Sequence, residues 1–104
     1  MNTGTHTQGL GAQRARHLLE SHRDARHQQL LDLTRLPVDE REPADEAVIE
    51  TTLQVLAEID LALGRLGAGR YGVCTECGRP LPTERLEVLP YAATCVDCTP
   101  GAGR

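Results

Sequence analysis

Apolar residues recur at helical spacing in two blocks of the chain, and the pattern between them breaks at a proline. From Ala12 to Leu36 nothing interrupts a helix, and Leu18, Leu19, Leu30, Leu33 and Leu36 recur at roughly helical spacing. Between Ser21 and Gln29 only Ala25 is apolar, so this stripe is thin at its centre. Leu36-Pro37 closes the block, because proline lacks the N–H a helix needs and restrains the residue before it. The second block opens at Pro43, a residue suited to a first helical turn, with Asp45 and Glu46 placed to meet the positive end of the helix dipole. Ile49, Leu56, Ile59, Leu63 and Leu66 then follow an a/d-like repeat, Thr52 fills its gap, and Val48 and Leu53 are read as widening it. Gly64 weakens the last turn, and the helix is expected to end near Gly67, with Gly69 beyond it.

Two helices of this size, about 35 Å long at 1.5 Å per residue, joined by a short proline-containing loop, fold back on one another as an antiparallel hairpin. The loop end carries a dense acid cluster, Asp39, Glu40, Glu42, Asp45, Glu46 and Glu50, relieved only by Arg41. Such a run is often just a solvated face. At the end of a stiff rod it is also shaped for insertion or docking. His17, His22 and His27 recur every five residues, which spreads them around a helix rather than pairing them as metal ligands, so they read as solvated or partner-facing.

Past the hairpin the pattern changes. All four cysteines fall in two C-x2-C pairs, Cys74-Thr-Glu-Cys77 and Cys95-Val-Asp-Cys98, with seventeen residues between them. Each pair lets two thiolates of one tight turn face a single ion, and two such turns complete a tetrahedral site for Zn2+. Gly78 follows Cys77 where the chain must reverse, and Thr75 and Glu76 are expected to sit exposed between the ligands. Four thiolates leave no open coordination position, so the ion is expected to be structural. Redox dithiols, disulfides and an iron–sulfur cluster are the alternatives for four cysteines; no βαβ context supports the first, and no signal peptide points to an oxidising compartment for the second. Three prolines between the pairs exclude a long helix there, and Leu81, Leu86, Val88 and Leu89 are placed to form a small apolar patch under the metal.

Composition fits a metal-stapled module on a rod. With two Tyr, no Phe and no Trp among 104 residues, a large packed core is excluded. Net charge is −4, and four thiolates around one divalent ion lower it by two more, to about −6, which argues against a general nucleic-acid binder. All eleven basic residues are Arg, which reads as composition bias. With no run of about 18 apolar residues the chain is expected to be soluble and cytoplasmic, without a membrane span. The expected division is a disordered leader 1–11, a hairpin 12–69 with its acidic tip near 37–47, a four-cysteine module 70–98 and a flexible tail 99–104.

The segment Tyr71-Gly-Val-Cys74-Thr-Glu-Cys77-Gly78, then Arg85-Leu86-Glu87, Pro90 and Cys95-Val-Asp97-Cys98, resembles the zinc module of the DksA/TraR type of transcription regulators. Family members place an antiparallel coiled coil before the module, with a D-x-x-D-x-A motif at its tip. Glu42-Pro43-Ala44-Asp45-Glu46-Ala47 stands in the corresponding place; Asp45 and Ala47 match, and Glu42 replaces the first aspartate with a longer carboxylate. The resemblance spans about residues 12–98. It implies a mainly α protein that binds bacterial RNA polymerase, places its coiled coil in the secondary channel and acts through the tip residues Glu42, Asp45 and Ala47. It also implies zinc held by Cys74, Cys77, Cys95 and Cys98, no sequence-specific DNA contact and no catalysis.

Longer members carry an additional N-terminal region and a C-terminal helix after the last cysteine. The ppGpp response that partly uses those parts in some members is not carried over. Two other classes compete: a thiol-based redox or zinc-release sensor, and a zinc-ribbon nucleic-acid binder drawing on Arg79 and Arg85 in the module and Arg14, Arg16, Arg23 and Arg26 along the first helix.

Overall fold

The computed structural model describes residues 10–99; residues 1–9 of the expected leader and 100–104 of the expected tail lie outside it. Two long helices, α1 (Ala12–Leu33) and α2 (Pro43–Gly67), pack antiparallel, and a short third helix, α3 (Thr83–Val88), lies in the cysteine module. A single 3-10 turn, Val38–Glu40, occupies the connecting loop. The radius of gyration is 16.0 Å, against about 13 Å for a compact chain of 100 residues, and the extents of 56 × 33 × 21 Å give a rod with a wider base.

α1 stops at Leu33, three residues before the expected end at Leu36. Pro37 explains the difference: it has no N–H to return to the Leu33 carbonyl, and in a continued helix its ring would collide with that carbonyl. The turn closes instead through Thr34, whose backbone N–H (2.9 Å) and hydroxyl (2.7 Å) both donate to the Leu30 carbonyl. α2 ends in a Schellman motif. Gly69 takes φ 74°, its N–H donates to the Leu66 carbonyl (3.2 Å), and the Arg70 N–H donates to that of Arg65 (2.8 Å).

The α2 seam buries Ile49, Thr52, Val55, Leu56, Ile59 and Ala62. Val48 and Leu53, expected to widen it, are 39% and 51% exposed. A residue turns about 100° per step around a helix, so the immediate neighbours of Ile49 and Thr52 leave the seam, while Val55 and Ala62, three positions on from Thr52 and Ile59, stay in it. From α1, Ala15 and Leu19 are fully buried, and Leu19 packs with Val55, Ile59 and Ala62. The core therefore sits in the half of the rod next to the module. Towards the tip the seam thins to a polar contact: the buried Thr52 hydroxyl donates to the Val48 carbonyl (2.7 Å) and lies 3.3 Å from the side-chain amide of Gln29.

The module docks on the base of the rod through Tyr71 and Tyr91, which pack against the Leu19 cluster, while Tyr71 also packs against the buried group of Cys74, Leu81 and Leu86. The Tyr71 hydroxyl donates to the Pro90 carbonyl at 2.7 Å, and the Tyr91 ring meets the His22 ring edge-on at 6.1 Å. Arg14 of α1 pairs with Glu87 of α3 at 2.9 Å.

Ile59→Ala is expected to destabilise the protein by about 2–5 kcal/mol, and Leu61→Ala, on the exposed face, by about 0.5 kcal/mol or less, in denaturant titrations followed by circular dichroism. Burial pushes the Tyr71 phenol up to about 12 from the ordinary 10.0. Its contribution to stability is thus complete below pH 10 and lost as the pH rises towards 12. Tyr71→Phe is expected to cost about 1 kcal/mol at neutral pH and to flatten the fall in melting temperature between pH 10 and 12.

Candidate metal centre

After α2 the chain turns at Gly72, which takes φ 88° and faces the Leu86 side chain. The Leu81 N–H donates to the Gly72 carbonyl and the Cys74 N–H to that of Arg79, both at 2.8 Å, closing a small loop around the first cysteine pair. Gly78 takes φ 78°, and its N–H donates back to the Cys74 carbonyl (2.9 Å), so the reversal expected at this glycine is made with left-handed backbone. Thr75 and Glu76 are exposed, as the spacing suggested. The second pair forms a helical turn in which the Cys98 and Thr99 N–H groups donate to the Cys95 carbonyl at 3.1 and 2.9 Å. The Thr75 N–H donates to the Ala93 carbonyl (2.8 Å) and holds the two turns face to face.

This brings the four sulfurs within 4.8 Å of one another, placed to bind one metal ion. They are not equivalent. Cys74 is buried, Cys95 and Cys98 are half-buried and Cys77 is exposed. The Cys74 sulfur accepts the N–H groups of Glu76 (3.4 Å) and Cys77 (3.5 Å). Burial opposes its ionisation, but the backbone N–H groups of Cys77, Cys95 and Glu76 together outweigh it and bring the thiol down to about 6 from 9.0. Cys77 is also held below the ordinary thiol value, first by the side chain of Arg79, whose Nε lies 3.4 Å from the sulfur, and then by the Arg79 backbone N–H. Donors aimed at sulfur are what a thiolate site needs, and the donor set fits a tetrahedral ion of the zinc type.

Beneath the site, Leu81 and Leu86 are buried with Cys74. Val88, placed in that patch from the sequence, is 70% exposed, because α3 points Leu86 inward and two further residues, about 200° around the helix, carry Val88 to the opposite side. The structure gives two features roles that the sequence did not show. Tyr71 links the module to the rod. Beside it, Arg65 and Arg85 line a cavity of about 290 Å3 with Leu61, Leu89 and Tyr91, and one buried nitrogen of each guanidinium has no hydrogen-bond partner.

At the other end of the molecule, Glu42 is the N-cap of α2 and Asp45 sits in its first turn, the Asp45 carboxylate accepting the Glu42 N–H at 3.0 Å. Glu42 and Ala47 are exposed and Asp45 is half-buried. Arg41 folds across the loop, donating to the Leu36 carbonyl (3.1 Å) and pairing with Glu46 (3.3 Å). Among the described residues no helix is long and apolar enough to cross a membrane.

A two-helix hairpin with a four-cysteine zinc-finger module at its base defines the class. The sequence pattern described as the prokaryotic dksA/traR C4-type zinc finger matches residues 69–99. The fold is similar to the solution structure of a DnaK suppressor protein from Agrobacterium tumefaciens C58, with a TM-score of 0.66 at 22% identity over 94% of this chain and 96% of that one. It is also similar to transcription factor DksA2 from Pseudomonas aeruginosa, with a TM-score of 0.51 at 30% identity over 83% of this chain and 72% of that one. The RNA polymerase-binding transcription factor DksA of Caulobacter vibrioides is 41% identical over 44 residues, 42% of this chain and 31% of that protein. The chain belongs to the DksA/TraR family of C4-type zinc-finger proteins. The match spans about a third of the length of several curated relatives.

Titrating the metal-free protein with Co2+ as a spectroscopic probe is expected to give the absorption bands of tetrahedral thiolate coordination, saturating at about one equivalent. Cys74→Ser, at the buried sulfur, is expected to weaken that binding more than Cys77→Ser.

Proposed function

We propose that the protein is a regulator of transcription that binds bacterial RNA polymerase directly, entering the secondary channel with its hairpin. The observation that carries this reading is the joint presence, in one rod-shaped chain of this family, of a capped acidic tip at one end and a four-thiolate module at the other. Residues 12–69 are the inserting element and 70–98 the module that fixes its angle. Cys74, Cys77, Cys95 and Cys98 hold Zn2+, which when bound cross-links the two turns and does no chemistry on a substrate.

At the tip, Glu42 and Asp45 present carboxylates and Ala47 leaves room for close approach. Asp45 has two tasks. One of its oxygens caps α2, and its remaining acceptor capacity is left for a partner. The rod acts by binding one arrangement of the mobile elements near the active centre better than another, a population shift without a covalent step. Such a protein works in the cytoplasm. A direct nucleic-acid role has less support, because Arg14, Arg23 and Arg79 are already paired with Glu87, Asp60 and Asp97.

The test is in-vitro transcription from a promoter with a short-lived polymerase complex, with binding to core polymerase measured in parallel. Wild type is expected to bind and to change output, and Asp45→Asn to bind within about threefold while losing most of the effect. Absence of any complex with core polymerase would sink the proposal. Equal effects of both proteins would reduce the tip to a steric plug.

A further inference from the structure

Protection of the four sulfurs is uneven, and the exception is specific. Cys74 is 2% exposed and its sulfur is served by backbone N–H groups, which no side-chain substitution removes. Cys95 and Cys98 are half-buried, and the turn they form is closed by Thr99, whose hydroxyl donates to the Cys95 carbonyl at 2.8 Å while sharing a 2.9 Å contact with Thr94. Cys77 alone is exposed. Its own N–H is committed to the Cys74 sulfur, and the neighbouring Gly78 N–H to the Cys74 carbonyl. The guanidinium of Arg79 lies against its sulfur, with Nε at 3.4 Å. That guanidinium is in turn braced by Asp97, between the cysteines of the second pair, with Nη2 to Oδ2 at 3.6 Å.

We propose that Arg79 is a positioning residue that guards the Cys77 thiolate, and that the Cys77 face is the port through which the bound ion is exchanged with competing ligands. The proposal rests on the reading that the four cysteines hold Zn2+. Four thiolates and one divalent ion carry two net negative charges, and the Arg79 guanidinium is in contact with the cluster. Its fork has one nitrogen on a sulfur of the first pair and another near the carboxylate between the cysteines of the second, so it links the two cysteine turns. Exchange by this route is ligand substitution. With Zn2+ bound, a donor atom of the incoming ligand would take the place of the Cys77 sulfur, which would leave as a thiolate with its electron pair. Nothing is oxidised or reduced. Arg79 slows this exchange by occupying the approach to Cys77, and, separately, by drawing charge from the sulfur it lowers its reactivity towards electrophiles such as maleimides.

The size of the effect follows from exposure. Outer-shell partners of metal ligands are typically worth 10–100-fold in affinity. The Arg79 and Asp97 side chains are 64% and 79% exposed, so solvent screens their pairing, and the Arg79 backbone N–H stays with the sulfur in any variant. A roughly three- to tenfold effect is therefore expected.

The experiment uses the zinc-loaded full chain, its metal content measured first. Zinc transfer to the chelator 4-(2-pyridylazo)resorcinol is followed for wild type, Arg79→Gln, Arg79→Lys, Asp97→Asn and a remote control, Arg35→Gln. Limiting N-ethylmaleimide, with the site of the first adduct read by mass spectrometry, reports where the cluster is attacked. Expected are faster transfer for Arg79→Gln, an intermediate rate for Arg79→Lys, which keeps the charge but not the fork, and for Asp97→Asn, and no change for Arg35→Gln. The first adduct is expected on Cys77, forming faster in Arg79→Gln. Rates equal to wild type in Arg79→Gln, or a first adduct on Cys95 or Cys98, overturn the assignment while leaving the metal site intact. A protein that holds no zinc overturns both. If Arg79→Gln proves unfolded by circular dichroism, Arg79→Lys and Asp97→Asn decide, and wild-type rates in both count against the proposal.

Discussion

The structure depends on one side chain that belongs to two cores. Tyr71 packs on the Leu19–Ile59 seam of the hairpin and on the Leu81–Leu86 floor of the module, and its hydroxyl ties the chain between the cysteine pairs back to the start of the module through the Pro90 carbonyl. Neither core is large enough to stand well alone, in a chain whose only aromatic residues are two tyrosines. Joining them makes the module a continuation of the rod rather than a bead on a string. The Arg14–Glu87 pair and the His22–Tyr91 contact sit at the same junction and fix the remaining freedom to pivot.

That junction explains how stiffness is distributed. Fully buried side chains of α1 are confined to its first turns, at Ala15 and Leu19, and those of α2 run from Thr52 to Ala62, so the end of the rod near the cysteines is the well-packed one. The distal half relies on local devices: Thr34 closing α1, Arg41 strapped across the loop, and Asp45 capping α2. These set the shape of the tip without deep burial. Its acidic residues stay at the surface, where charge is cheapest to keep and most available to a partner.

The helices and the cysteine turns were legible in the sequence because each is specified locally. Pro37 and Pro43 bracket the loop, Gly69 terminates α2, and the C-x2-C spacing with Gly78 defines a turn whatever surrounds it. What could not be read was whatever depends on how two elements meet. Val48 and Leu53 belong to an apolar stripe on paper, yet only contact with α1 decides which edge of that stripe is inside. Val88 looked like floor until α3 formed and turned it outward. The roles of Tyr71 and Arg79 were hidden for the same reason: a tyrosine before the module and an arginine after a glycine are common, and their partners, Pro90 and Asp97, lie nineteen and eighteen residues further along the chain.

The asymmetry of the four sulfurs follows from the same geometry. A sulfur buried inside the module can be served by backbone groups, which are fixed once the turn forms, and Cys74 is in that position. A sulfur facing outward has backbone donors only on its inner side, so a side chain must cover the other, and a side chain can be moved by a partner, by salt or by substitution. A fully enclosed site would hold its ion equally well against every challenge. One thiolate guarded by an exposed arginine makes retention depend on what occupies that face, and that face lies at the base of the rod, at the opposite end of the molecule from the acidic tip.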